Sequence, residues 1–266
     1  MANSQDGHQK GGPLVAVLDR LTRVKLSHGS LPDTEVFVGG RGPSLLLIGG
    51  LYSNYTIWSG VLEHLLTNYR VVIYHPPGHG NSALPPDALT FAAISQSVKM
   101  ALEATGMSAP VAMIGWSLGG VLAMQFALDF PDLVNRLLIV SSTPRTTYSS
   151  AKENFLHIQQ MIRNARGKSW LRGYMDGQET LSASAVKAYQ DVLDQFDCTS
   201  RITAIQHPCT IVCGEQDLFT PVFLSEEIET CIRASRLVRV PDGDHFLLSS
   251  HPDLVYTTFT SLAASV

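Results

Sequence analysis

The chain has 266 residues, 45% of them hydrophobic and 16% charged, with a formal net charge of −4. That balance describes a soluble globule with ample core, and it argues against the basic surface of a nucleic-acid binder. The four cysteines (Cys198, Cys209, Cys213 and Cys231) are too few for a disulfide framework and lack the spacing of a zinc site. Buried thiols are expected, with Cys209 and Cys213 of "HPCTIVCG" on one face of a strand.

The start, "MANSQDGHQKGGP", is polar and without the apolar stretch of a secretory signal, so a cytoplasmic location is the default expectation. "PLVAVLDRLTR" can form a short helix, and β segments follow around "VKLSHG" and "TEVFVGG". "SLLLIGG" reads as a fully buried strand, and "IWSGVLEHLL" as a helix with Ile57, Val61, Leu62 and Leu65 on one side. Next come a strand and loop in "YRVVIYHPPGHG", a helix in "FAAISQSVKMALEATG", the strand "APVAMIG", a helix over 118–128 and the strand "VNRLLIVSS". No charge occurs from Ala104 to Leu128, but Gly106, Pro110, Gly115, Gly119 and Gly120 break that stretch into strand, turn and helix. No membrane span is therefore expected.

Strands that are apolar throughout and alternate with helices predict an α/β fold, a mostly parallel sheet covered on both faces. After Pro144 the alternation stops. "ENFLHIQQMIRNA" places Phe155, Ile158, Ile162 and Ala165 on one side, and "SAVKAYQDVLDQF" does so with Val186, Tyr189, Leu193 and Phe196. Strands resume with "PCTIVCG" and "SRLVRVP", before a final helix in "PDLVYTTFTSLAA". The organisation expected is a leader with a short helix over 1–29, a core over 30–143 and 206–266, and a helical cap inserted over 144–205. Such an insertion sits naturally as a lid over the strand ends, where α/β sheets bind ligands.

Gly115-Trp116-Ser117-Leu118-Gly119 stands at the junction of a predicted strand and helix, the setting in which a glycine-x-serine-x-glycine motif becomes a nucleophile elbow. A sharp turn leaves no room for Cβ atoms beside the serine, and the following helix aims its first N–H groups at the hydroxyl. The serine needs a base and a group to orient it, in the chain order Ser, Asp or Glu, His. "TIVCGEQDLFTP" supplies Asp217 beyond a strand, with Glu215 as its rival. The other position for an acid, after "LLIVSS", holds Ser141, Ser142 and Thr143 and offers no carboxylate.

"VRVPDGDHFLLSSHPD" supplies His245 in a loop after the last strand, with Asp242 and Asp244 as close competitors for the acid. His251 reads as a surface cap and His79 as a loop-packing residue. His8, His28, His64, His157 and His207 read as ordinary surface or core histidines.

Taken together, "GWSLGG", "PPGHGNS", "GEQDLFTP" and "GDHFLLSSHPD" resemble the α/β-hydrolase fold superfamily with a cap domain, from about residue 30 onward. With the tryptophan before the serine and "ALDFPDLVNRLLIVSSTP" downstream, the chain is most similar to the branch of pimeloyl-carrier-protein methyl ester esterases and enol-lactone hydrolases. Carbon–carbon bond hydrolases share much of the pattern. The resemblance implies an eight-stranded type of sheet and a serine hydrolase acting on an ester or thioester without metal or organic cofactor. It carries over Ser117 as nucleophile, His245 as base, Asp217 as orienter, and the backbone N–H groups of Leu51 and Leu118 as oxyanion donors.

Two departures stand out. Gly49 occupies the place of a histidine usual before the oxyanion loop, and a loosened loop there would weaken a donor worth about 2.7–4 kcal/mol. His75 stands where the superfamily often has aspartate; with His79 it suggests a metal pair, but no third ligand is spaced with them, so loop structure is expected.

Tyr52 and Trp116 are candidate pocket walls for a medium-sized, largely apolar acyl group. Arg163, Arg166, Lys168 and Arg172, near Trp170, are a candidate docking patch for an acyl carrier protein. Two alternatives keep the same residues: a carbon–carbon hydrolase or acyl transferase/cyclase working on a carrier-bound chain, and a ligand-binding, receptor-like protein with a weakly active triad.

Overall fold

A computed structural model describes residues 17–28, 31–85, 89–107, 109–146, 181–194 and 196–263. Its centre is built by strands whose residues are apolar in both directions. In β3 (Ser44–Ile48), Leu45 and Leu47 enter one apolar cluster while Leu46 and Ile48 enter the other, all four at 0% exposure. Burying each such side chain contributes about 1.5–3 kcal/mol. The same period-two division runs through β4 (Arg70–Tyr74), β5 (Val111–Trp116) and β6 (Val134–Val140).

These strands join β1 (Thr22–His28), β2 (Leu31–Gly40), β7 (Cys209–Gly214) and β8 (Ser235–Val240) in one eight-stranded sheet of order β1-β2-β4-β3-β5-β6-β7-β8. Only β1–β2 and β2–β4 pair antiparallel; the other five pairings are parallel. The expected sheet is therefore present. β1 begins at Thr22, inside the segment expected as a helix; Val17 and Leu18 are helical before it, and residues 13–16 lie outside the described residues.

Helices α1 (Ser59–Asn68) and α6 (Pro252–Ala263) cover one face through Val61, Leu62, Leu65, Val255 and Phe259. The other face carries α2 (Phe91–Ala104) and α3 (Leu118–Asp129). Every residue of α3 from Leu118 to Ala127 is buried, so this part of the helix is enclosed on all sides, in keeping with the absence of charge before Asp129. The charge-free stretch is thus β5, a turn and α3. Among the described residues, no helix is long and apolar enough to cross a membrane.

Of the insertion after Pro144, the helix α4 (Ala183–Leu193) is described, capped by Ser182, whose hydroxyl accepts from the Ala185 N–H. It buries Ala185, Tyr189 and Leu193, with Val186 only half-buried and Phe196 buried beyond its end. Tyr189 Oη donates to the Pro77 carbonyl at 3.0 Å, and its ring meets His79 edge-on. The helix expected in "ENFLHIQQMIRNA" and the basic patch Arg163, Arg166, Lys168 and Arg172 lie outside the described residues.

The loop after β4 also explains His75. Glu35 of β2, 2% exposed, accepts from His75 Nδ1 at 2.7 Å and from the backbone and side-chain nitrogens of Asn81 at 3.0 and 2.9 Å; it also pairs with Arg23. A carboxylate from a neighbouring strand thus meets the histidine that stands in the aspartate's place. Among the described residues, no group of three or more metal-ligating side chains occurs.

Burial alone would raise the Glu35 pKa, but the hydrogen bonds from His75 and Asn81 outweigh it and hold the group at about 2. His79, fully buried, is pushed down to about 4 by burial and then by His75. Both shifts act in the same direction. Glu35 contributes stability that is present above 4.5 and lost as pH falls toward 2, while the unfolded chain protonates His79 below 6.5 before the folded chain does. Thermal unfolding should therefore show Tm falling as pH drops from 6.5 to 4, with a shallower slope in His79→Gln; equal slopes would contradict this assignment.

Candidate active site

The C-terminal ends of β5, β7 and β8 bring together the three residues expected from the sequence. Ser117 follows β5 as the residue before α3, with φ 55° and ψ −120°. A non-glycine residue in such a conformation costs about 1–3 kcal/mol, so the surroundings must hold it there. Ser117 N–H donates to the Val140 carbonyl at 2.9 Å, and the Ser117 carbonyl accepts from Ser142 Oγ at 2.8 Å and Gly120 N–H at 2.9 Å. Glycine is needed beside the elbow for close approach: a Cβ on Gly115 would overlap the Gly119 carbonyl, and one on Gly119 would overlap the carbonyl of Ile48 in β3.

Asp217 ends the turn after β7, and His245 lies in the loop after β8. Gly214 packs so tightly on Gly243 that a Cβ there would overlap the Gly243 carbonyl, which lets these two loops converge. His245 Nδ1 lies 2.8 Å from Asp217 Oδ2, and His245 Nε2 lies 3.0 Å from Ser117 Oγ. An ionised carboxylate only accepts, so Nδ1 carries the imidazole proton and Nε2 is free to accept from the serine. Asp217 and His245 are 3% and 7% exposed, while Ser117 is half-buried.

Burial alone would raise the Asp217 pKa. His245 and the donors of Thr220 overcome that and lower it, so the carboxylate stays ionised. Its Oδ1 accepts the N–H groups of Phe219 and Thr220 at 2.8 and 2.9 Å, and Oδ2 also accepts Thr220 Oγ1 at 2.7 Å.

The competing acids face elsewhere. Glu215 is exposed, Asp242 lies 3.4 Å from His251, and Asp244 Oδ1 accepts the Phe246 N–H. Ser142, in the segment scanned for a carboxylate, instead holds the elbow's carbonyl. Trp116 is 1% exposed and lies in the core, and its indole Nε1 donates to the His245 carbonyl at 2.8 Å. Tyr52 is half-buried in the loop after β3, with φ 62°.

Leu118 opens α3, so its N–H is among the first-turn groups with no partner within the helix. Leu51 follows Gly49 and Gly50, and a Cβ on Gly50 would come within 2.9 Å of the Trp116 ring. Gly49 has a local explanation. A Cβ there would lie 2.5 Å from Ser53 Oγ, which donates to the Gly50 carbonyl at 2.7 Å. The Ser53 N–H donates to the same carbonyl at 3.2 Å, so the loop is tied by a serine in the space a larger residue 49 would need. Ser53 was not singled out in the sequence because its partner lies on the backbone.

Residues 43–172 match the family profile described as the alpha/beta hydrolase fold. The polyketide synthase ThaQ of Burkholderia thailandensis is 27% identical over 82% of this chain, which spans only 12% of that protein. The pimeloyl-[acyl-carrier protein] methyl ester esterase of Nitrosomonas europaea is 24% identical over 84% of this chain and 96% of its own length. Among solved structures, a hydrolase from Pseudomonas aeruginosa PA01 superposes with a TM-score of 0.81 at 19% identity, covering 91% of this chain and 98% of that one. The eight-stranded, mostly parallel sheet with flanking helices is the α/β-hydrolase fold. Several of the proteins it resembles are named as esterases or hydrolases.

Proposed function

We propose that the protein is a serine hydrolase that cleaves the ester or thioester of a medium-sized, largely apolar acyl group through Ser117, His245 and Asp217. The observation that carries this reading is the unbroken line of hydrogen bonds from Ser117 Oγ through the imidazole to Asp217 at 3.0 and 2.8 Å. In the acylation step Ser117 Oγ bonds to the substrate carbonyl carbon while His245 Nε2 takes its proton. The oxyanion is met by the N–H groups of Leu51 and Leu118. The C–O or C–S bond then breaks, and His245 returns the proton to the leaving alcohol or thiol. Water repeats the sequence on the acyl-enzyme, releasing the acid and restoring the serine. No step in this sequence calls for a metal or an organic cofactor.

A carrier-bound acyl chain is the substrate form we favour. The similarity to an esterase whose name specifies an acyl-carrier-protein substrate supports it, as does the basic cluster Arg163, Arg166, Lys168 and Arg172 in a chain of net charge −4. The core over 30–143 and 206–266 would hold the chemistry and the insertion over 144–205 the docking patch. Reversing charge in Arg163→Glu/Arg166→Glu should raise KM for a carrier-linked methyl ester about tenfold at low salt and leave a short free ester unaffected. Equal KM values for the carrier-linked ester, with no salt dependence in either protein, would reject carrier docking at this patch.

A further inference from the structure

Among the described residues, Thr220 is a polar side chain in contact with both Asp217 and His245 that the triad reading does not use. Thr220 is 7% exposed, and its Oγ1 lies 2.7 Å from Asp217 Oδ2, the oxygen that also holds His245 Nδ1 at 2.8 Å. A hydroxyl has a single proton, and a carboxylate can only accept, so that proton goes to Asp217. The lone pairs left on Oγ1 face His245 Nδ1 at 3.4 Å. Asp217 thus shares one oxygen between two donors, while its other oxygen is filled by the N–H groups of Phe219 and Thr220.

We infer that Thr220 is a positioning residue of this site: its hydroxyl, donating to the same Asp217 oxygen as the imidazole, sets the strength and the plane of the grip on His245. Two effects follow from the geometry. The Thr220 proton draws electron density from Oδ2 and moderates the pull of the carboxylate on the Nδ1 proton. The Thr220 oxygen offers that proton a second, weaker acceptor on one side, which opposes rotation of the ring away from Ser117. Pro221, which precedes the helix α5 (Val222–Cys231), restricts the backbone of Thr220 to extended conformations and so fixes where the hydroxyl starts from.

The catalytic consequence rests on the triad proposed above; the hydrogen-bond geometry does not. The test therefore reads the imidazole proton directly. In the proton NMR spectrum of the resting protein, the Nδ1–H resonance is identified by its loss in His245→Gln. Thr220→Val removes the hydroxyl and keeps the branched shape, so the Nδ1–H···Oδ2 bond should strengthen and the resonance move downfield. Thr220→Ser should leave it at the wild-type position. On an ester that the wild type cleaves, the valine variant should also lose kcat several-fold with KM unchanged, and serine should restore it.

If the valine variant does not fold, Thr220→Ala against Thr220→Ser decides in the same way. A resonance unmoved by loss of the hydroxyl, or moved equally by serine, overturns the inference. Failure of Ser117 to react with a serine-directed probe would instead count against the hydrolase triad, and the resonance comparison would still decide the role of Thr220.

Discussion

Replacing Ser117 with alanine is expected to lower ester hydrolysis by about 10⁴–10⁶-fold, with Tm close to that of the wild type. On the proposed mechanism activity goes because the atom that bonds to the carbonyl is gone. Stability holds because alanine has the same Cβ as serine, so the backbone at φ 55° is no more and no less strained. Loss of the 3.0 Å hydrogen bond from the half-buried Ser117 hydroxyl is a small term, about 0.5–1.5 kcal/mol. His245→Ala should fall in the same range, and the double variant should be no worse than either single one, because the two act as a unit. Asp217→Asn should cost about 10⁴-fold by presenting the wrong hydrogen-bonding partner to Nδ1. Steady-state rates on one ester, with thermal melts of each variant, check all four. Additive losses in the double variant would contradict the linked arrangement.

The largest effect on folding is expected at Gly119. A Cβ at that position would overlap the Ile48 carbonyl oxygen and also press on the carbonyl of Gly49. Both are backbone groups of the central strand β3 and the loop that follows it, and neither can swing aside as a flexible side chain would. Gly119→Ala should destabilise the protein by about 4 kcal/mol or more, which for a chain of this size is a fall in Tm of roughly 8–16 °C. Any folded fraction should also be slower, since pushing α3 away from β3 separates the Leu118 N–H from the Leu51 N–H. An unchanged Tm would mean that the helix start and β3 are not held as closely as described.

The legible and illegible parts of this sequence divide by range. Strands β3 to β7 could be read because each carries a short apolar run closed by turn residues, and the sheet is covered on both faces there as those runs require. Ser117, Asp217 and His245 could be singled out because each stands at a predicted strand end in a fixed chain order, and the loops after β5, β7 and β8 bring them within hydrogen-bonding distance. Glu35 could not be read as the partner of His75: the pairing crosses from β2 to β4, where Val36 lies opposite Tyr74, and nothing local announces it. Ser142 does not stand out in the sequence, because that position is one where the chain order calls for a carboxylate, whereas the elbow needs a donor for its carbonyl.

Gly49 was visible as a departure, but its reason, the Ser53 hydroxyl in the space beside it, is a matter of packing. Thr220 stands in "DLFTP", where no pattern of residue types marks it beyond a hydroxyl three positions after the acid and directly before a proline. In α4, the half-buried Val186 and the buried Ala185 exchange the places that helical spacing assigned, because the small residue meets Gly78 of the loop after β4.

The central claim is an activated serine at residue 117, and the most direct measurement is intact mass after exposure to a fluorophosphonate probe. The wild type should gain the mass of one adduct, peptide mapping should place it on Ser117, and neither Ser117→Ala nor His245→Ala should gain it. A folded wild type that takes no probe, or an adduct that persists in Ser117→Ala, would contradict the account.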